Sequence, residues 1–220
     1  MGHRMTRGAV YVAYGEPACV EARASIVSLK DCDPALPVTV IGDKQLLPQC
    51  GVGFVRMPEE DIGGRWAKLN IDLVSPYDQT LYIDADTRVR QSVLSGFCIL
   101  DAGWEMAIMP SRKQHRNDWL WHVGEEERHM TAGQLGPVLA LQGGMWFMRK
   151  TPAVHELFAA WRSEWQINRQ TDQAPLLRAL YRHPVRMWVL GYPWNKGAII
   201  EHRYGRARRP GVGVNAKKGG

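Results

Sequence analysis

Residues 80–90 of the chain read TLYIDADTRVR. Thr80, Leu81, Tyr82 and Ile83 are the β-branched, aromatic and aliphatic residues of a buried strand, and they run directly into Asp84 and Asp86 with only Ala85 between them. Two carboxylates this close repel each other, and a fold tolerates them when a cation, supplied by the protein or by a metal, sits alongside. A spacing of two can turn both acids toward one ligand, and the small Ala85 lets that ligand approach. Oxygen donors of this kind suit hard divalent ions such as Mg²⁺ and Mn²⁺, which share their coordination sphere with substrate phosphates. The alternative is a turn in which the acids pair with Arg88 or Arg90.

The segments around this stretch alternate in period. Ala9–Tyr14 (AVYVAY) has strand composition and ends at Gly15, and Ala22, Ile26 and Leu29 then recur at helical spacing over 17–29. Residues 37–41 and 53–57 predict two more strands. Trp66, Leu69 and Leu73 fall on one helical face that stops at Ser75-Pro76. After the opening strand come a strand over 104–109 and a polar, aperiodic stretch over 110–136, which is expected to be a loop that acts as an acceptor-side flap. A strand over 145–148 follows. Val154, Phe158, Trp161 and Trp165 then mark an amphipathic helix, whose tryptophans are expected in the core. A helix over 171–182 capped by Thr171, and short strands over 185–190 and 198–200, close the pattern. Strands alternating with helices predict an α/β fold with a mostly parallel sheet in a single domain over 1–208, and a disordered basic tail over 209–220. In such sheets ligands sit beyond the carboxyl ends of the strands, where Asp84 and Asp86 lie.

Composition sets the class. The 220 residues, 45% hydrophobic and 23% charged, suit one soluble globular core, with nine tryptophans as the unusual enrichment. The net charge of +6 resides at the end of the chain, because residues 202–218 carry six Lys and Arg and no acid. A basic end attracts phosphate on a nucleotide, a nucleic acid or a lipid. Cys19, Cys32, Cys50 and Cys98 are scattered without a C-x-x-C pair, as expected of reduced thiols in a cytosol-like compartment. No stretch approaches the ~18 apolar residues of a membrane span, and the apolar run near the start is too short for a secretion signal, so a cytoplasmic location is expected.

A D-x-D triplet alone says little, since eleven aspartates in 220 residues produce roughly half an occurrence by chance. The chain contains its own control: Asp31-Cys32-Asp33 has the same spacing but lies between a helix end and Pro34, where aspartates serve turns. Other chemistries fail on residues. His155-Glu156 is followed by Ala159 where a zinc-binding H-E-x-x-H needs a second histidine, and Gly51-Val52-Gly53 lacks the third glycine of a dinucleotide loop.

The run from Lys68 through SPYDQTLYIDADTRV resembles the metal-binding segment of GT-A nucleotide-sugar glycosyltransferases, particularly those of glycosyltransferase family 8. AVYVAYG with ARASIVSL resembles the family's nucleotide-holding strand and helix. Gln142-Gly143-Gly144-Met145 resembles its N-x-G-hydrophobic turn, and Thr171-Asp172-Gln173 its D-Q helix start. His202 to Arg208 (HRYGRAR) is similar to its closing H-x-x-G-x-x-K. The likeness spans 8–208, with Gln142 replacing Asn and Arg208 replacing Lys.

The resemblance implies transfer of a sugar from a nucleotide diphosphate donor, with a UDP-sugar as the leading candidate, to a glycan, protein or small-molecule acceptor, with retention of configuration. It implies Asp84, Asp86 and His202 as ligands of Mn²⁺ or Mg²⁺. It places Lys68 and Arg208 on the donor phosphates, Gly205 beside them, and Tyr14 on the base. Gln142 and Gly143 lie at the sugar, and Asp172 and Gln173 at the anomeric carbon. For several of these the residues leave a plainer role open: Tyr14 in the core, Arg208 as a solvated charge, Asp172 as a helix cap. The rival readings are a sugar-phosphate nucleotidyltransferase, which lacks its Gly-rich basic loop here, and a non-catalytic nucleotide or nucleic-acid binder. Nucleic acid is the less favoured partner.

Overall fold

The computed structural model describes residues 5–57, 64–111, 120, 123–136 and 138–203, with the backbone alone of Lys196. The central sheet is built from β1 (Arg7–Ala13), β2 (Val38–Gly42), β3 (Gly53–Arg56), β4 (Gln79–Ile83), β6 (Met106–Pro110), β7 (Leu141–Arg149) and β8 (Met187–Val189), in the order β3-β2-β1-β4-β7-β6-β8. The first four strands of that order are mutually parallel and β6 is parallel to β8, while β7 runs antiparallel to both its neighbours. The expectation of a mostly parallel α/β sheet therefore holds.

Each strand divides its side chains between two cores, as a period of two requires. Ala9, Tyr11, Leu81, Ile83 and Phe147 face a core with α1 (Gly15–Cys32) and α4 (Leu94–Asp101). Val10, Tyr82, Trp146 and Met148 face the other, under α2 (Gly64–Leu69), α3 (Ile71–Val74), α6 (Pro152–Asn168) and α7 (Gln173–Arg182). Trp146, Trp161 and Trp165 are among the largest fully buried side chains. Each such side chain contributes roughly 1.5–3 kcal/mol of transfer free energy. The expected core role of the helical tryptophans is what the structure has.

Four local expectations change. The stretch over 110–136 holds a helix, α5 (Glu125–Leu135); its buried contacts are ionic, so it showed no apolar period. The helix over 65–74 is broken at Asn70, whose side-chain amide donates to the Trp66 carbonyl at 2.8 Å, competing with the helical ladder. After the break the buried face shifts, and Leu73 is exposed while Lys68 and Asp72 are buried. Thr171 is not the cap of α7: Asp172 holds the N-cap position, and the Thr171 hydroxyl donates to Glu127 at 3.4 Å. Gln142-Gly143-Gly144 forms part of a strand, β7, and not a turn.

Two short strands complete the described chain. β5 (Thr87–Val89) pairs antiparallel with β9 (Ile200–His202), in a register that sets Thr87 opposite His202, and α8 (Pro193–Lys196) leads into β9. Among the described residues no helix is long and apolar enough to cross a membrane. All four cysteines are free thiols. Gly205, Arg208 and the basic segment 209–220 lie outside the described residues.

Candidate active site

The rim formed by the C-terminal ends of the parallel strands carries Tyr14 after β1, Asp43 after β2 and Asp84 after β4. Asp84 continues the β4 line for one more hydrogen bond, its N–H donating to the Gly144 carbonyl at 2.8 Å. The chain then turns through Ala85 and Asp86 and returns as β5. Because β5 pairs with β9, and the Arg203 N–H donates to the Asp86 carbonyl at 2.9 Å, His202 is delivered beside the second acid. Thus 115 residues of intervening sequence separate two groups whose meeting depends on a three-residue ladder.

The side chains converge. His202 Nε2 lies 3.1 Å from Asp86 Oδ1 and 3.7 Å from Asp84 Oδ2, and one ligand atom from each of the three residues falls within 4.8 Å of the others. Neighbouring ligands at ~2.1 Å from one octahedral ion stand about 3 Å apart, so the Asp86–His202 spacing already fits and Asp84 has less than an ångström to close. Two hard carboxylates with a neutral imidazole form a donor set suited to Mn²⁺ or Mg²⁺. Neither acid pairs with the arginines beside it: Arg88 binds Glu21 at 2.9 Å and Arg90 binds Glu201 at 2.5 Å. The alternative of a simple turn salt-bridged to Arg88 or Arg90 is thereby removed.

Neighbours fix the acids from behind. The Tyr82 hydroxyl, two residues earlier and on the same face of β4, donates to Asp84 Oδ1 at 2.5 Å, which leaves Oδ2 toward His202. Burial, together with the adjacent Asp84 charge, holds that phenol well above its ordinary pKa, so it remains a donor. The sequence offered one hint of this contact, the i to i+2 spacing.

On the opposite side Lys68, at the end of α2, is buried with its ammonium paired to Asp172 and 3.8 Å from Asp84 Oδ1. Burial by itself would lower the lysine pKa; the Asp172 and Asp84 charges outweigh it and hold the ammonium above its usual range. Burial likewise opposes ionisation of Asp172, yet the Lys68 charge keeps its carboxyl below the ordinary carboxylate range. The Asp172 carboxylate makes no capping bond to α7, so the plainer capping role is not what the side chain does.

β7 passes between these groups with no side chains in the way. A register shift between Ile108 and Met109 leaves Gly143, Gly144 and Met145 without partners on β6, the kind of irregularity that re-aims a strand. A Cβ on Gly144 would stand 2.4 Å from His202 Cε1 and 2.6 Å from Asp84 Oδ2, and one on Gly143 would stand 2.8 Å from Asp172 Oδ2. The two glycines thus face the two halves of the cluster. Gln142 lies on the Gly144 side, its amide nitrogen 3.3 Å from His202 Nδ1 and its oxygen accepting from Gln173 at 2.7 Å.

Of the residues expected at the site, the structure brings together Asp84, Asp86, His202, Lys68, Asp172, Gln142, Gly143 and Gln173. Tyr14 stands at the start of α1 on the same rim, half-buried, its hydroxyl donating to the Met57 carbonyl at 2.9 Å. The control triplet behaves as turn chemistry: Asp33 accepts from the Ser92 hydroxyl and the Val93 N–H, both at 2.7 Å.

No protein-family model matches the sequence, and no curated protein matches it either. Solved structures do. The fold is similar to that of the galactosyltransferase LgtC in complex with donor and acceptor sugar analogues, with 14% identity, a TM-score of 0.60, and coverage of 84% of this chain and 73% of that one. It is similar to mouse xyloside xylosyltransferase 1, with 12% identity, a TM-score of 0.59, and coverage of 93% and 99%. The bifunctional glycosyltransferase WbbM matches at 16% identity and a TM-score of 0.61 over 89% of this chain and 41% of that one. The chain therefore has the GT-A glycosyltransferase fold.

Proposed function

We propose that this protein is a metal-dependent glycosyltransferase of the family 8 type, which moves a sugar from a nucleotide diphosphate donor, a UDP-sugar first among the candidates, to an acceptor hydroxyl with retention of configuration. The observation that carries this reading is the convergence of Asp84, Asp86 and His202 from separate segments at the strand rim of a GT-A fold. Asp84, Asp86 and His202 would hold Mn²⁺ or Mg²⁺. When bound, the ion would offset the negative charge that grows on the leaving diphosphate.

This chain's own residues then divide the remaining work. Tyr82 fixes the Asp84 carboxylate by donating to Oδ1. Lys68 adds a buried positive charge between Asp84 and Asp172, and so keeps the acids from repelling one another out of position. Asp172 and Gln173 line the donor sugar at the start of α7, where the carboxylate stays ionised and accepts sugar hydroxyls. Gly143 leaves room for that sugar against the backbone. Tyr14 is assigned to the nucleotide end of the rim, and Gly205 and Arg208, in the segment following β9, to the diphosphate. The catalytic unit is assigned to 1–208.

The test is a donor-hydrolysis screen across nucleotide sugars with Mn²⁺, comparing wild type with Asp86→Ala. Cleavage of at least one donor by wild type and none by the variant is expected. Equal cleavage by both proteins overturns the assignment.

A further inference from the structure

The side of α1 that meets β5 is polar, although the rest of its buried surface is apolar. Cys19, Ala22, Ile26 and Leu29 join the hydrophobic core, whereas Glu21, Ser25 and Ser28, at i, i+4 and i+7, each contact a residue of β5. Glu21 accepts from the Arg88 guanidinium at 2.9 Å, and Ser28 Oγ accepts from the Val89 N–H at 2.9 Å. Between these two contacts the Ser25 hydroxyl lies 2.8 Å from that of Thr87 and 3.2 Å from that of Tyr11.

Tyr11, Ser25 and Thr87 are all fully buried. A buried hydroxyl costs free energy unless it is hydrogen-bonded, and these three are joined in one line from β1 through α1 to β5. The line ends on the backbone, where the Thr87 hydroxyl donates to the Asp84 carbonyl at 2.9 Å. That bond closes the turn from β4 into β5, the turn that carries both acids. β5 has three residues and pairs with a strand of three, and so short a ribbon holds its place by packing on a helix. Glu21 and Ser28 grip the part of β5 beyond the turn, while Ser25 reaches through Thr87 to the turn itself.

We propose that Thr87 and Ser25 are positioning residues for the Asp84–Asp86 pair: their buried hydroxyls fix the backbone of the turn to α1, and with it the separation of the two carboxylates. This rests on the reading of those acids as metal ligands. Divalent ions of the Mg²⁺ kind demand near-ideal ligand geometry, so a turn that can shift holds them less tightly.

The test uses the full chain, EPR titration with Mn²⁺ alone, and urea unfolding of each variant. Thr87→Val keeps the outline of the side chain and removes the hydroxyl; it should weaken Mn²⁺ binding about 10–100-fold, the usual cost of losing an outer-shell partner. Thr87→Ser, which keeps the hydroxyl, should bind as wild type does. Ser25→Ala should weaken binding in the same direction as Thr87→Val, and the double variant should be no worse than Thr87→Val, since both act along one line. Ser28→Ala is the control for general support of β5: it should lower stability and leave Mn²⁺ affinity unchanged. Wild-type affinity in Thr87→Val, or a loss in Ser28→Ala equal to that in Thr87→Val, overturns the proposal and leaves the metal site standing. If Thr87→Val does not fold, Ser25→Ala decides, and unchanged affinity there overturns the proposal. Absence of Mn²⁺ binding to wild type overturns it together with the metal-dependent reading.

Discussion

Two clusters of charge meet at α7, one through Arg178 and Arg182 within it and one through its N-cap Asp172, and they are built differently. Between α5, α6 and α7, Arg178 is fully buried and pairs with Glu164 at 2.7 Å and Glu127 at 3.6 Å. Its guanidinium also donates to Thr131 at 2.6 Å, and Arg182 closes the second Glu164 oxygen. Two guanidiniums meet two carboxylates, and the charge is balanced. At the sheet rim Lys68 pairs with Asp172 and lies 3.8 Å from Asp84, with Arg65 acting at longer range, while Asp86 stands against His202. The first cluster is complete and staples helices. The second gathers acids and an imidazole at the rim, where the proposed cation would sit.

Substitutions at the two clusters should therefore fail differently. The largest effect is expected for Asp86→Ala: turnover of the donor drops by at least ~10²-fold, while the melting temperature stays level or rises because a like charge has gone. The wild type should gain about 2.7 kcal/mol of unfolding free energy at Mn²⁺ concentrations near 100 times its Kd, and the variant nothing. Arg178→Met should show the reverse, a loss of about 3–5 kcal/mol in urea unfolding, because Glu127 is left buried without its guanidinium and Glu164 keeps Arg182 alone. Its turnover per folded molecule should match wild type. A variant of Arg178 that lost activity without losing stability would erase the distinction between the clusters.

Gly144→Ala probes the rim more gently. The added methyl must push His202 or Asp84 aside, costing about 1–3 kcal/mol. That cost should appear as weaker Mn²⁺ binding in a titration more than as lost stability. The smallest effects are in pH dependence, and their signs oppose. Asp172 has a folded pKa below its ordinary value because Lys68 outweighs its burial, so its contribution is present above about pH 4 and lost as pH falls through the folded pKa. Asp172→Asn should flatten that acid limb. Glu127 has its pKa raised by burial in spite of Arg178, so its contribution is present at acid pH and lost as pH rises through the folded value. Glu127→Gln should remove this second decline in unfolding free energy measured across pH 4–7.

The difference between the clusters also explains what could be read from the chain. Asp84 and Asp86 lie two residues apart at a strand end, so they stand out in a linear sequence. The balanced cluster draws its members from α5, α6 and α7, and Glu127 and Arg178 resembled ordinary surface charges. For the same reason α5 was expected as part of a loop. α4 and β5 were absent from the sequence reading because a helix of eight residues and a strand of three are too short to show a period. The break at Asn70 was missed because it comes from a side chain bonding to its own helix.

The sequence by itself determined the alternation of strands and helices, hence the α/β sheet, and the exit of two carboxylates from its rim. Hydrophobic period and β-propensity are local properties, and the end of a strand is fixed by the residues within it. Only the tertiary structure decided which partners meet those carboxylates. His202 arrives through the pairing of β9 with β5, Asp172 is turned from capping α7 to bind Lys68, and Gln142 is set behind the imidazole by a shifted register in β7. These contacts join residues far apart in the chain, and each follows from strand register and burial, which no local pattern records.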